Sequence, residues 1–364
     1  MLEIEKKKLG IQSRLTNQTF QFSPLLGKGF YSAQYFIKTQ TIIQQLLPNQ
    51  IVTMQFFQRE SNMTVCGVDE CIALIHTFAQ QPEHLTIEAL DDGDLIQANE
   101  SVLRITGRYE TFGFLESMID GILSRRTSVA TNTKDVLKAA QGKPVFSMAD
   151  RQDDYHTQVG DGYASYVAGI TKVATDAQGL WWGGKGMGTM PHALIQVCGG
   201  DILKAVKLYS QQYPSEPITA LIDYRNRVVE DSVMVAQALQ GKLHAVRVDT
   251  SIALIDEYLA KKGLTGDAYR GVNPTLIKGL RNELNQAGFP HVKIIVSSGF
   301  NPEKIALFEK EKAPVDLYGV GQYLIKVRTN FTGDLVMLNG QPEAKVGRGN
   351  FDTKRLKKVR FPIL

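Results

Sequence analysis

The feature that most constrains this chain is a repeated change of period between residues 116 and 323. Brief apolar runs, ALIDY (220–224), HAVRVDTS (244–251), VKIIVSSG (292–299) and DLYGVG (316–321), alternate with stretches of helical spacing. Parallel neighbours in a sheet need a crossover long enough for a helix, so this alternation predicts a parallel α/β sheet or barrel. A helix opens the region, because Leu115, Met118, Ile119, Ile122 and Leu123 make one apolar stripe. Asn273 before Pro274 and Asn301 before Pro302 mark two further helix starts, each a capping amide followed by a ring that already holds helical φ. Gly288 closes the first of these helices.

The flanking regions have a different pattern. Before residue 116, IVTMQFFQ and SVLRITGRY are rich in β-branched and aromatic residues, and Leu103 and Ile105 alternate with Arg104 and Thr106. That predicts an antiparallel sheet. After Asn330, Val336 to Leu338 lead into Asn339-Gly340, a hairpin signal, so the tail is expected to return to that sheet. The resulting division is 1–115, 116–329 and 330–364.

Lys plus Arg number 41 against 37 Asp plus Glu, too even a balance to argue for nucleic acid. The basic cluster KRLKK (354–358) reads as solvated surface. Cys66, Cys71 and Cys198 leave one unpaired and show no zinc spacing, which points to a reducing cytoplasm. The first residues carry no apolar segment after their lysines, so no secretory signal is expected. The uncharged stretch Thr39 to Gln58 contains Pro48, Asn49 and several glutamines, so no membrane span is expected either.

Three groups of residues bear on chemistry. In VSSGFNPEKI (296–305) a strand ends in Ser297, Ser298 and Gly299 and a capped helix begins at once, an arrangement suited to an anion. Gly319 and Gly321 end the next strand, and in an eight-stranded barrel a phosphate often sits on two such consecutive loops. Gly183, Gly184, Gly186 and Gly188 surround Lys185 without the Walker spacing and lead to Thr189, Pro191 and His192. Finally Asp176, Asp223, and Arg247 with Asp249 fall at strand ends. The plainer alternatives are ordinary strand-to-helix turns, a structural histidine and an intrastrand ion pair.

GTMPHALI, VRVDTS, VNPTLIKGLRNELNQAGFPHVKIIVSSGF and APVDLYGVGQYL, together with YFIKT (35–39) and FGFLESMIDGILSRRTSVAT (112–131), resemble the nicotinate phosphoribosyltransferase family. The resemblance runs in order from about residue 30 to 345. It implies a type II phosphoribosyltransferase: an irregular α/β barrel with an N-terminal α/β sandwich domain completed by the C-terminal tail, in a homodimer with shared active sites. It further implies that nicotinate is joined to 5-phosphoribosyl 1-diphosphate, giving nicotinate mononucleotide and pyrophosphate, with Mg²⁺ as cofactor and ATP as co-substrate. Carried over by position, His192 resembles the histidine that ATP phosphorylates, and Arg247 the partner of the nicotinate carboxylate. Asp249 and Asp223 resemble carboxylates on the ribose and metal side, and Asp176 an acid near the pyridine ring. Tyr35 would stack on that ring from the partner subunit. Ser298, Gly299, Gly319 and Gly321 would hold the 5-phosphate, with Thr189 and Arg151 among the substrate contacts. Of the family's aromatic-glycine-x-Arg-Arg pattern, SMADRQDD keeps only Arg151, and the tail after Gly349 has no cysteine of the kind that builds a metal knob in some relatives.

Three alternatives remain open at this point. A sister enzyme would use nicotinamide or quinolinate, and a non-catalytic barrel would bind a phosphorylated metabolite. A Schiff-base aldolase would need a buried strand lysine, but Lys293 stands at the wrong end of its strand.

Overall fold

The computed structural model of the chain describes residues 1–351 and 354–360, so the last four residues of the tail, 361–364, lie outside the described residues. Residues before the long helix supply β1 (Ile51–Phe57), β2 (Met63–Thr64), β3 (Thr86–Ala89), β4 (Leu95–Ile96) and β5 (Leu103–Arg108). The middle of the chain supplies β6 (Val145–Ser147), β7 (Lys172–Val173), β8 (Ile218–Leu221), β9 (Leu243–Val248), β10 (Lys293–Val296) and β11 (Leu317–Val320). The tail adds β12 (Thr332–Leu338), β13 (Gln341–Pro342) and β14 (Lys357–Lys358).

One sheet has the order β13-β12-β1-β5-β3-β14 and every pairing in it is antiparallel. Leu103 and Ile105 of β5 are buried while Arg104 and Thr106 are half-buried, the alternation of a strand with one face on a core. The tail completes this sheet at both edges. β12 runs along β1 from Val52↔Leu338 to Phe57↔Thr332 and turns through Asn339-Gly340 into β13. β14 pairs with β3 at the opposite edge. There the basic cluster meets an acidic turn: Lys357 binds Asp91 at 2.7 Å and Arg355 binds Glu100 at 2.9 Å. Charge complementarity thus adds to the docking of a segment that its composition marks as plain surface.

The second sheet is parallel throughout, with the order β7-β6-β11-β10-β9-β8. Its edge strands β7 and β8 do not pair with each other, so it is a curled half-barrel. Val246, Val248, Ile294, Val296, Tyr318 and Val320 belong to its buried core, as expected where helices cover a parallel sheet. Asn273 and Asn301 cap Pro274–Gln286 and Pro302–Lys310, accepting from the backbone N–H of Leu276 and Lys304. Since β10 and β11 are central neighbours, their C-terminal loops lie side by side, which is what positions the site.

The helix Glu116–Ala139 serves both layers. Met118, Ile119 and Leu123 join the N-terminal core and Val136 the half-barrel core. Between them Arg126 grips Glu70 through Nε (2.8 Å) and Nη2 (3.1 Å), and Arg125 grips Asp161 through Nε (3.0 Å) and Nη2 (2.7 Å). Arg125 also reaches Asp153 at 2.7 Å, which anchors the loop after β6.

Candidate active site

A cavity of about 660 Å³ opens at the C-terminal ends of the parallel strands. Each central strand contributes to it: Arg151 and Gln152 from the loop after β6, Arg247 and Asp249 from the end of β9, Ser297 to Asn301 after β10, and Gly319 and Gly321 at the end of β11. Thr189 and Pro191 of the glycine-rich segment close one side. Gly319 in β11 and Gly321 just after it pack closely against the loop after β6. A Cβ on Gly319 would meet the Met148 side chain at 2.7 Å, and one on Gly321 would meet the Met148 carbonyl oxygen at 2.9 Å.

Arg247 is held from one side only. Its Nη1 donates to Thr189 Oγ1 at 2.9 Å, and its Nη2 lies 3.9 Å from Asp249 Oδ2. Its Nε is buried and has no hydrogen-bond partner among the described residues. Burial pushes its basicity down, with Asp249 and Asp223 pulling the other way. A guanidinium that lines the cavity with one hydrogen bond and one loose ion pair keeps donors for a carboxylate. Asp249 is fixed by Ser297, whose Oγ donates to Oδ1 at 2.8 Å.

His192 starts the short helix His192–Val197, just beyond the cavity wall formed by Pro191. Its Nε2 faces the Asp223 carboxylate at 3.2 and 3.3 Å, while no described residue hydrogen-bonds its Nδ1. Asp223 follows β8 and is 7% exposed; burial raises its pKa, with His192 lowering it and Asp249 raising it further. The two carboxylates therefore sense each other at one end of the half-barrel.

Of the residues singled out from the sequence, Arg151, Thr189, Arg247, Asp249, Ser298, Gly299, Gly319 and Gly321 share this cavity. His192 and Asp223 form a pair beside it. Asp176 lies outside the lining: its Oδ1 accepts from the backbone N–H of Gly186 at 2.8 Å and so tethers the glycine-rich segment. Tyr35 stands on the helix Gln34–Leu46 of the N-terminal layer, exposed and away from the cavity of its own chain. That helix buries none of its residues. The structure adds Gln152 and Lys326 to the lining and Lys304 behind it. Nothing in their spacing marked them, because each belongs to a polar stretch that only the packing turns inward. No cluster of three metal-ligating side chains occurs among the described residues.

The family profile described as "Quinolinate phosphoribosyl transferase, N-terminal domain" matches residues 34–127. A solved nicotinate-nucleotide pyrophosphorylase from Pyrococcus furiosus superposes with a TM-score of 0.77 and 29% identity, over 89% of this chain and 79% of that one. The chain has the type II phosphoribosyltransferase fold. Human nicotinic acid phosphoribosyltransferase shares the type II fold, with a TM-score of 0.68 and 16% identity over 87% of this chain and 77% of that one. By sequence, a nicotinate phosphoribosyltransferase of Mycobacterium tuberculosis is 24% identical over 268 residues, 71% of this chain and 55% of that protein. The chain thus spans about half the length of the curated relatives it matches. No helix among the described residues is long and apolar enough to cross a membrane.

Proposed function

We propose that the chain is a nicotinate phosphoribosyltransferase, joining nicotinate to 5-phosphoribosyl 1-diphosphate with release of pyrophosphate, and so feeding preformed nicotinate into NAD. The observation that carries this is the cavity itself: a half-buried arginine with donors to spare, a carboxylate and the anion loop after β10 line one cavity. Arg247 would pair with the nicotinate carboxylate, and the loops after β10 and β11 with the 5-phosphate. The ring nitrogen is already a free nucleophile, so the site needs little acid or base chemistry. It needs to hold the anomeric carbon in line and to favour a cationic sugar, which Asp249 and Asp223 do electrostatically.

Two neighbouring carboxylates also suit Mg²⁺, which binds through one or two carboxylates together with substrate phosphates. Asp249 and Asp223 would hold it, and when bound it neutralises charge on the leaving pyrophosphate. ATP fits as co-substrate at His192. With Asp223 on Nε2, the Nδ1 lone pair is open to take the phosphoryl group as ADP leaves. The exposed helix bearing Tyr35 suits a homodimer in which that ring reaches the partner's site, and the buried free cysteines suit a cytoplasmic setting.

A quinolinate enzyme is the second reading, favoured by the match of residues 34–127 to that profile. It would need cations for two carboxylates, and besides Arg247 the cavity offers Arg151 and Lys326.

The test is product formation from 5-phosphoribosyl 1-diphosphate and Mg²⁺ with nicotinate, nicotinamide or quinolinate, each with and without ATP. Nicotinate mononucleotide formed preferentially from nicotinate, with ADP released alongside, supports the proposal. Preferential use of quinolinate moves the assignment to the second reading, and no product from any base leaves a phosphometabolite-binding protein. His192→Ala is expected to abolish ATP stimulation and keep slow, ATP-independent transfer, as measured by initial rates.

A further inference from the structure

The strained point of the cavity wall is Ser298. It holds φ +81° without being glycine, and Gly299 follows at φ +69°. The left-handed region is unfavourable for a non-glycine residue and persists only where its surroundings enforce it. In return, the backbone N–H groups of Ser298, Gly299, Phe300 and Asn301 find no acceptor among the described residues, and all four residues line the cavity. Successive free amides in such a turn form an anion-binding concavity.

An enforcing contact comes from behind the loop. Lys304, in the first turn of Pro302–Lys310, donates from Nζ to the Ser298 carbonyl oxygen at 3.0 Å and packs over the Phe300 ring at 4.4 Å. It makes no ion pair among the described residues and does not line the cavity. Burial pushes its pKa down to about 8, with Asp249 pulling it up. A half-buried ammonium spent on one carbonyl has a positional task.

We propose that Lys304 is a positioning residue for the anion loop: by pinning the Ser298 carbonyl it holds residue 298 in the left-handed region and keeps the free amides presented to the sugar phosphate. This rests on the phosphosugar reading above. A distinctive consequence follows from the backbone. Glycine reaches the left-handed region without penalty, so Ser298→Gly lessens the dependence on Lys304.

The test is calorimetric binding of 5-phosphoribosyl 1-diphosphate to the wild type, K304M, S298G and the double variant, with KM and kcat for the same substrate alongside. K304M is expected to weaken binding about tenfold, equivalent to about 1.4 kcal/mol, mainly through KM. In the S298G background the same change is expected to cost less than about threefold. An equal loss in both backgrounds, or none in either, overturns the positioning role. K304Q carries the same comparison should K304M fail to fold. A wild type that binds no phosphosugar overturns the functional reading and this inference together, whereas normal binding by wild type and K304M alike removes this inference alone.

Discussion

The seam between the two layers and the cavity both bury charge, but they treat it in opposite ways. At the seam, Arg126 meets Glu70 in a bidentate pair and Arg125 satisfies Asp161 and Asp153 together. In the cavity, Arg247 makes one hydrogen bond and one loose ion pair, and a run of backbone N–H groups has no acceptor among the described residues. Saturated charges specify how two layers dock, whereas unsaturated ones keep hydrogen-bonding capacity for a ligand. A gripping pair on a helix shared by both cores fixes the geometry against which the open site can be kept incomplete.

The largest expected effect lies at the seam. Arg126→Met leaves the buried Glu70 carboxylate without its bidentate partner, and urea unfolding is expected to show a loss of about 3–5 kcal/mol. A loss within measurement error would break the comparison, because the seam would then be no more than a surface pair. In the cavity the stability change is expected to be small and the functional one large. Arg247→Met should lower kcat/KM for nicotinate about ten- to a hundredfold, as for a hydrogen bond to a charged group, while sparing nicotinamide. Equal losses for the two bases would remove Arg247 as the carboxylate partner.

A prediction read as a slope and not as a single loss concerns a third place, where Glu116 lies half-buried near Asp120 and Asp334. Its carboxyl is pushed up to about 9, chiefly by burial and then by the two aspartates. A raised carboxyl contributes stability that is full below its unfolded pKa of about 4.3 and is lost as pH rises through the folded value. Wild-type stability should therefore fall across that window, and Glu116→Gln should flatten the fall in urea midpoints measured as a function of pH. Parallel slopes for the two proteins would mean that Glu116 is already ionised in the folded state. A flattened slope would show that an unpaired acid is simply held neutral by burial, so an unpaired group marks a site only where a cavity adjoins it.

Much of the fold was readable because period and punctuation are local. The strands ending at Val248, Val296 and Val320, and the helices capped by Asn273 and Asn301, follow from apolar runs and capping chemistry written in consecutive residues. The cavity residues that close strands were readable for the same reason, since Ser298, Gly299, Gly319 and Gly321 are small residues at strand ends. Lys304 and Gln152 were not, because a polar side chain in a loop or on a first helical turn has no periodic signature. The double duty of Arg125 and Arg126 was also hidden, since their partners lie 28 to 56 positions away.

By itself, then, the sequence determined the parallel α/β region, its antiparallel companion and the return of the tail, because hydrophobic period and turn chemistry act between near neighbours. Tertiary structure decided the rest. It set the order that makes β10 and β11 adjacent, left the sheet an open half-barrel, paired His192 with Asp223, and bound the basic tail to an acidic turn. Each of these depends on which distant surfaces come within hydrogen-bonding reach, and burial, strain and charge settle that only once the whole chain has packed.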